Sequence, residues 1–181
     1  MKKFLWLAAC VALVTSCKEA ETPGDEKPKE EVAKAMPAMP KNVAYKGDPS
    51  IGSSENMLTV MNWNRFLESK QLDSAALLLA DTLQVDLEDG TRLKGSRDTI
   101  MAAVRQMVSS FDSVKVDFVA LLPLNVKTET GTDEWVFSWT DEKYQNIAKK
   151  QNVHLNVHED YQLKNGKIVR VIQYRQMPPK E

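Results

Sequence analysis

The sequence predicts an α+β domain over residues 51–181, with three helices toward its N-terminal side packed on one face of a curved antiparallel sheet. Three observations predict it. Apolar residues recur at three- and four-residue spacing from Met57 to Leu67 and again from Ile100 to Phe111. They alternate strictly with polar ones in runs such as Val153 to Leu163. Pairs suited to tight turns, Asp89-Gly90 and Asn165-Gly166, separate the alternating runs.

Met57, Val60, Met61, Trp63 and Leu67 place a first helix over about Ser54 to Lys70. Asp73 is positioned to cap a short second helix through Ala80. Leu83, Val85 and Leu87 then alternate with Gln84, Asp86 and Glu88, and a hairpin at Asp89-Gly90, both positions at positive φ, leads to a second strand ending at Lys94. Ser96 is the expected N-cap of a third helix, with Ile100, Ala103, Val104, Met107 and Phe111 as its buried stripe. Strands follow over Val114 to Leu122, Val126 to Thr130, Glu134 to Thr140, Val153 to Leu163 and Lys167 to Gln176, with turns at Gly131-Thr132-Asp133 and Asn165-Gly166. The polar stretch from Asp141 to Gln151, which contains Tyr144, reads as a loop.

The preceding residues have a different character. Lys2 and Lys3 precede an apolar run from Phe4 to Val14, the charged-then-hydrophobic order of a secretory leader and too short to span a bilayer. Thr15 and Ser16 before Cys17 resemble the lipobox of bacterial lipoproteins. That resemblance implies a leader over residues 1–16 and acylation of Cys17, and two or three acyl chains there would hold the protein to a membrane. Lys18-Glu19 resembles the charged start of lipoproteins carried to the outer membrane or cell surface, and a generic solvated linker fits equally. Residues 17–50 alternate Glu, Asp and Lys around Pro23, Pro28, Pro37, Pro40 and Pro49, the composition of an extended tether.

Composition excludes several classes of chemistry. Cys10 would leave with the leader and Cys17 would carry lipid, so no thiol remains for a disulfide, a nucleophile or a thiolate metal site. The formal charge of −1 gives no reason to expect nucleic acid. Serine-nucleophile, phosphate-loop and metal-ligand motifs are absent, and no cofactor is implied. His154 and His158 lie four residues apart on a strand, about 13 Å, too far to share one metal ion. Their face, also assigned Gln173 and Arg175, reads as solvated or partner-facing.

The order of elements resembles the cone-shaped fold of nuclear transport factor 2 and its SnoaL-like relatives. The resemblance is carried by Leu72-Asp73, Leu77, Leu79-Ala80-Asp81, Asp89-Gly90, Gly95, Ile100, Trp135-Val136, Trp139 and Asn165-Gly166-Lys167-Ile168, and it covers nearly all of the chain from Asn56 onward. That family contains ketosteroid isomerases, polyketide cyclases, dehydratases and epoxide hydrolases, together with members that only bind, so the fold leaves function open. The resemblance places the isomerase-type general base on Leu87 and the oxyanion tyrosine on Trp63. Neither residue performs that proton chemistry.

A second acid of that subgroup falls near Glu159, which also stands out physically. It is the one carboxylate on the face formed by Val153, Leu155, Val157, Tyr161 and Leu163. A two-residue turn at Asn165-Gly166 pairs Leu163 with Ile168, Tyr161 with Arg170, Glu159 with Ile172 and Val157 with Tyr174. This register puts Arg170 diagonally beside Glu159. The pair then forms a salt bridge flanked by Tyr161 and Tyr174, or a polar end to an apolar cavity, or a general acid or base. Trp135, Phe137 and Trp139 share a strand face, as aromatic core or as pocket walls, and Trp63 and Asn64 lie on the first helix's buried stripe. Three functions follow: a membrane-tethered domain binding a small apolar ligand through Trp63, Glu159, Tyr161, Arg170 and Tyr174, an isomerase, cyclase or dehydratase acting through Glu159, or a homodimeric interaction module at the cell envelope.

Overall fold

The computed structural model describes residues 49–176. The leader, Cys17 and the tether up to residue 48 lie outside the described residues. Helix α1 spans Ser54–Glu68, and Ser53 caps it by accepting a hydrogen bond from the Glu55 backbone N–H at 3.0 Å. Helix α2 is one short turn, Leu72–Ala76. Strands β2 (Leu79–Asp86) and β3 (Arg92–Ser96) form a hairpin, and α3 (Arg97–Ser109) follows. Long strands β4 (Phe111–Thr128), β5 (Gly131–Asn146) and β6 (Gln151–Lys164) and the shorter β7 (Lys167–Gln176) complete the domain. A two-residue strand β1, Ser50–Ile51, pairs with β4.

The seven strands form one sheet in the order β1-β4-β5-β6-β7-β2-β3. All pairings are antiparallel except β2 with β7, which is parallel. The sheet is therefore antiparallel-dominated rather than wholly antiparallel, and β2-β3 intervenes between α2 and α3. The core gathers Val60 and Trp63 from α1, Leu79 and Leu83 from β2, Ile100 and Met101 from α3, and Val136, Tyr161, Leu163, Ile168 and Val171 from the sheet. Each large apolar side chain removed from water there contributes roughly 1.5–3 kcal/mol.

Several elements differ from the sequence reading. Gln71, not Asp73, precedes α2, and Asp73 instead reaches Arg105 of α3 at 2.9 Å. Leu79 and Ala80 belong to β2, so α2 ends before them. At the first hairpin Leu87 and Thr91 close a three-residue loop in which only Gly90 takes positive φ. Ser96 caps α3 as expected, accepting from the Thr99 N–H at 3.3 Å, but of the expected stripe Ile100 alone is fully buried, joined by Met101 and Val108; Ala103 and Met107 are exposed, Val104 is half-buried and Phe111 begins β4.

Pro123 does not divide β4. Its carbonyl accepts from the Gly52 N–H at 2.9 Å. Within a strand one residue's N–H and C=O point to the same side, so the missing proline donor faces the β1 edge and not the β5 ladder. The turn that follows is Glu129-Thr130, and Gly131 already begins β5. The polar stretch after Thr140 continues β5 to Asn146 instead of forming a loop. Its pairing with β6 supplies the backbone hydrogen bonds that its side chains do not signal.

A change of register with consequences for the cavity lies in the last hairpin. Asn165 and Gly166 both have positive φ, 53° and 71°, as a two-residue turn requires, and Leu163 pairs with Ile168. One step later Gln162 faces Arg170, so Val169 is an extra residue on β7. From there every side chain of β7 is on the opposite face from a regular ladder. Tyr161 pairs with Val171, Glu159 with Gln173 and Val157 with Arg175.

The turn itself yields a stability test. A Cβ at Gly166 meets nothing within 4 Å, so substitution there strains only the backbone. Gly166→Val is expected to destabilise the protein by about 1–2 kcal/mol, measured by urea unfolding, with no change in the native circular dichroism spectrum.

Candidate functional site

The helices and the inner face of the sheet enclose a cavity of about 400 Å³. Trp63, Asn64 and Leu67 line it from α1, Leu79, Leu83 and Val85 from β2, and Ile100, Val104 and Met107 from α3. Phe111, Val114 and Val116 close the β4 side. Against these apolar walls stand a few polar groups from three neighbouring strands: Glu142 and Tyr144 of β5, Glu159 of β6, and Gln173 and Arg175 of β7. A mainly apolar cleft of this size with a small set of convergent polar groups is the usual form of a small-molecule site.

Glu159 is 8% exposed. The Tyr161 hydroxyl donates to its Oε2, and Gln173 Nε2 donates to Oε1 at 2.8 Å. Behind the tyrosine, Asn64 Nδ2 donates to the Tyr161 hydroxyl at 3.4 Å and to the Val60 carbonyl at 3.2 Å. Burial pushes the Glu159 carboxyl above the usual carboxylate range, while the two hydrogen bonds pull the other way. The Tyr161 phenol is held well above its ordinary value by burial and by Glu159, so it remains a donor.

Glu142 is the second carboxyl. Thr140 Oγ1 donates to its Oε1 at 3.2 Å. Burial, with the nearby Glu159 charge adding to it, raises this group to about 7. Arg175 draws both carboxyls down through its charge but bonds to neither. Its guanidinium is 2.9 Å from Glu88 at the cavity rim.

Of the residues proposed from sequence, Trp63 and Glu159 line this cavity, with Tyr161 directly behind Glu159. Arg170 and Tyr174 do not join them. The extra residue at Val169 turns Arg170 to the outer face, where it binds Asp86 at 2.6 Å, so the expected Glu159–Arg170 pair does not form. Burial alone would raise Asp86, but hydrogen bonds from Arg92, Arg170 and Gln84 hold it at about 2. Tyr174, 52% exposed, lies on the outer face with its ring centroid 5.7 Å from that of His158.

Trp135, Phe137 and Trp139 are also on that outer face and do not line the cavity; Trp135 is buried there, as the aromatic-core reading expected, whereas Trp139 is exposed. Trp139 and His158 are stacked with centroids 4.6 Å apart. His158 also contacts Asp160 at 2.8 Å and the Ser138 carbonyl at 2.9 Å, and His154 contacts Asp141 at 2.5 Å. Gln173 and Arg175, assigned to the histidines' face, point instead into the cavity. Among the described residues no group of three or more His, Cys, Asp or Glu is placed to hold a metal ion, and no helix is long and apolar enough to cross a membrane.

Solved structures resemble this architecture. The fold is that of the nuclear transport factor 2-like proteins. A nuclear transport factor 2-like protein of Burkholderia pseudomallei matches with a TM-score of 0.55 and 14% identity, over 68% of this chain and 92% of its own. An LEH-like epoxide hydrolase of M. tuberculosis matches at 0.54 and 14% identity, over 68% of this chain and 84% of its own. An epoxide hydrolase/cyclase-like enzyme of pyran ring formation in polyether salinomycin matches at 0.56 and 14% identity, over 68% and 92%. No protein-family model matches the sequence, and no curated protein matches it. Leu87 and Trp63, the positions to which the resemblance assigns the isomerase-type base and tyrosine, both line the cavity.

Sequence reasoning missed Glu142 and misplaced Gln173 and Arg175. The signal for Glu142 is its parity with Val136, Ser138 and Thr140, which continues beyond Thr140 into the polar stretch.

The raised Glu142 carboxyl makes stability depend on pH. Between about 4.5 and 7 the folded protein holds a proton that the unfolded chain has released, so stability falls as pH rises through that window and levels off above it. Glu142→Gln is expected to remove a loss of about 1–3 kcal/mol over that range, measured by urea unfolding at each pH. An unchanged profile in the variant would show that Glu142 is not the titrating group.

Proposed function

We propose that this domain binds a small, mainly apolar organic molecule in the cavity, with the molecule's polar end toward Glu159, and that Cys17 tethers it to the cell envelope. The observation that carries the binding reading is the roughly 400 Å³ apolar cavity ending on a buried carboxyl held by Tyr161 and Gln173. A carboxyl in that setting needs its partners fixed in advance, because a mobile polar group on an apolar wall is costly. Asn64, Tyr161 and Gln173 supply that fixation, so the site is ready before a ligand enters.

The sheet's outer face, with Trp139 and Tyr174 exposed, supports contact with a partner, a second copy of the chain among them. Acid–base catalysis in the cavity is the second reading, favoured by one observation: Glu142 sits at about 7, where a carboxyl exchanges protons efficiently near neutrality. Under that reading the enzymatic neighbours' reactions on epoxides and cyclic ethers suggest the class of chemistry to assay.

Filling the cavity separates binding in the cone from binding on the sheet's outer face. Val104→Phe places a larger side chain into the cavity from α3. Native mass spectrometry of the full-length protein is expected to show a retained small molecule, and the variant is expected to lose it while unfolding at nearly the same temperature. Retention of the same molecule by Val104→Phe would move the site elsewhere.

The tether has its own test. Cells grown with an alkynyl fatty acid are expected to label the wild-type protein, and Cys17→Ser is expected to abolish the label and release the protein from the membrane fraction. A labelled Cys17→Ser protein would remove Cys17 from this role.

A further inference from the structure

Resting on the reading of the cavity as a ligand site, we infer that its ligand is an organic cation, an ammonium group carried on an apolar body, with the ammonium directed at the Glu142 and Glu159 carboxyls. The charged groups lining the cavity are four carboxyls, Glu88, Asp89, Glu142 and Glu159, against one guanidinium, Arg175. Arg175 and Glu88 neutralise each other at the rim, 2.9 Å apart, and both are about one-third exposed. Asp89 is occupied in its own turn, accepting from the Thr91 N–H at 2.8 Å. Among the described residues, no cation is in contact with the two inner carboxyls.

Their hydrogen bonds are those that suit the ionised form. Glu159 accepts from Tyr161 and Gln173, and Glu142 accepts from Thr140. All three donors are neutral, so they orient the carboxyls without balancing their charge. The Gln173 Oε1 atom is a further buried acceptor with no donor. An ammonium group supplies both things the site lacks, positive charge and N–H donors, in surroundings where charge pairs interact more strongly than in water. An anion would be repelled, and a neutral alcohol would leave the charge uncompensated. The walls of Trp63, Leu67, Leu83, Val104 and Phe111 fit the apolar body.

Other groups face the pair from every side. Glu68 of α1 adds to the negative field at Glu142, and Arg175 of β7 opposes it at both carboxyls. His158 contributes from across β6, and Tyr144 and Tyr161 remain protonated phenols. A cation favours the ionised carboxyls, so its binding expels protons, and its affinity rises with pH through the range in which Glu142 titrates.

The test uses the full-length protein in non-ionic detergent and three probes of one skeleton: 4-phenylbutylamine, 4-phenylbutan-1-ol and 4-phenylbutanoate. Titration calorimetry near pH 8 is expected to rank the amine first, about tenfold or more tighter than the alcohol, with the acid weakest. The advantage of the amine is expected to shrink toward pH 5, and proton release is read from paired buffers of different ionisation heat. Glu142→Gln is expected to cut the amine's advantage over the alcohol severalfold, and Glu159→Gln is expected to do the same. Should Glu159→Gln fail to fold, Glu142→Gln carries the comparison alone. Equal or tighter binding of the alcohol or the acid would overturn the cation inference and leave the cavity reading standing. Failure of all three probes to bind would overturn both.

Discussion

The inner face of the last hairpin depends on one extra residue. Val169 is accommodated as a bulge beside the tight turn at Asn165-Gly166, where β7 passes from Ile168 to Val171 on the same face. Without it Arg170, Ile172 and Tyr174 would face the helices, and a guanidinium would sit beside Glu159. With it Val171 completes the core, Gln173 meets Glu159, and Arg175 reaches the rim to bind Glu88. The bulge also frees Arg170 to hold Asp86 between itself and Arg92, joining β7 to β2 and β3 on the outer face. One backbone irregularity thus decides which charges the cavity contains.

The consequence is electrostatic. Had Arg170 met Glu159, the cavity would contain a closed salt bridge, and its charge would be satisfied internally. Neutral donors occupy that place instead. Desolvation therefore dominates at Glu159 and Glu142, with the charge of Arg175 opposing it at both without contact, and the Glu159 charge raises the proton affinity of Glu142 further. Tyr161 has a part that packing alone does not explain. It is fully buried in the core, yet its hydroxyl links Asn64 of α1 to Glu159 of β6, so helix and sheet share one polar contact through an otherwise apolar layer.

Much of the fold was legible because it rests on local rules. The period of α1, the Ser96 cap, the alternation of β6 and the Asn165-Gly166 turn each follow from a few adjacent residues. What was not legible depends on partners distant in sequence. Pro123 stays within a strand because only the short β1 lies on its donor side. The polar residues after Thr140 form strand because β6 pairs with them. The bulge at Val169 has no local marker, and the misplacement of Arg170, Tyr174, Gln173 and Arg175 follows from it. Glu159 and Trp63 were found because a carboxyl on an apolar face and an indole on a buried helical stripe are anomalies in the sequence itself. Glu142 was hidden because its neighbours are polar, and only burial makes it unusual.

The same geometry bears on the difference between binding and catalysis in this fold. Leu87 and Trp63 line the cavity at the positions where the family resemblance places the isomerase-type base and hydroxyl donor, and neither side chain can serve. The titratable groups sit instead on β5 and β6, deep on the sheet, and both are carboxyls of raised proton affinity. Two such acids without a cation in contact form an acceptor surface before they form an acid–base pair, because catalysis needs their proton affinities driven apart and here burial drives both upward. A bound ammonium would lower both together. The proposed binding of positive charge uses the two carboxyls as they stand, whereas proton transfer would require a substrate that itself distinguishes Glu142 from Glu159.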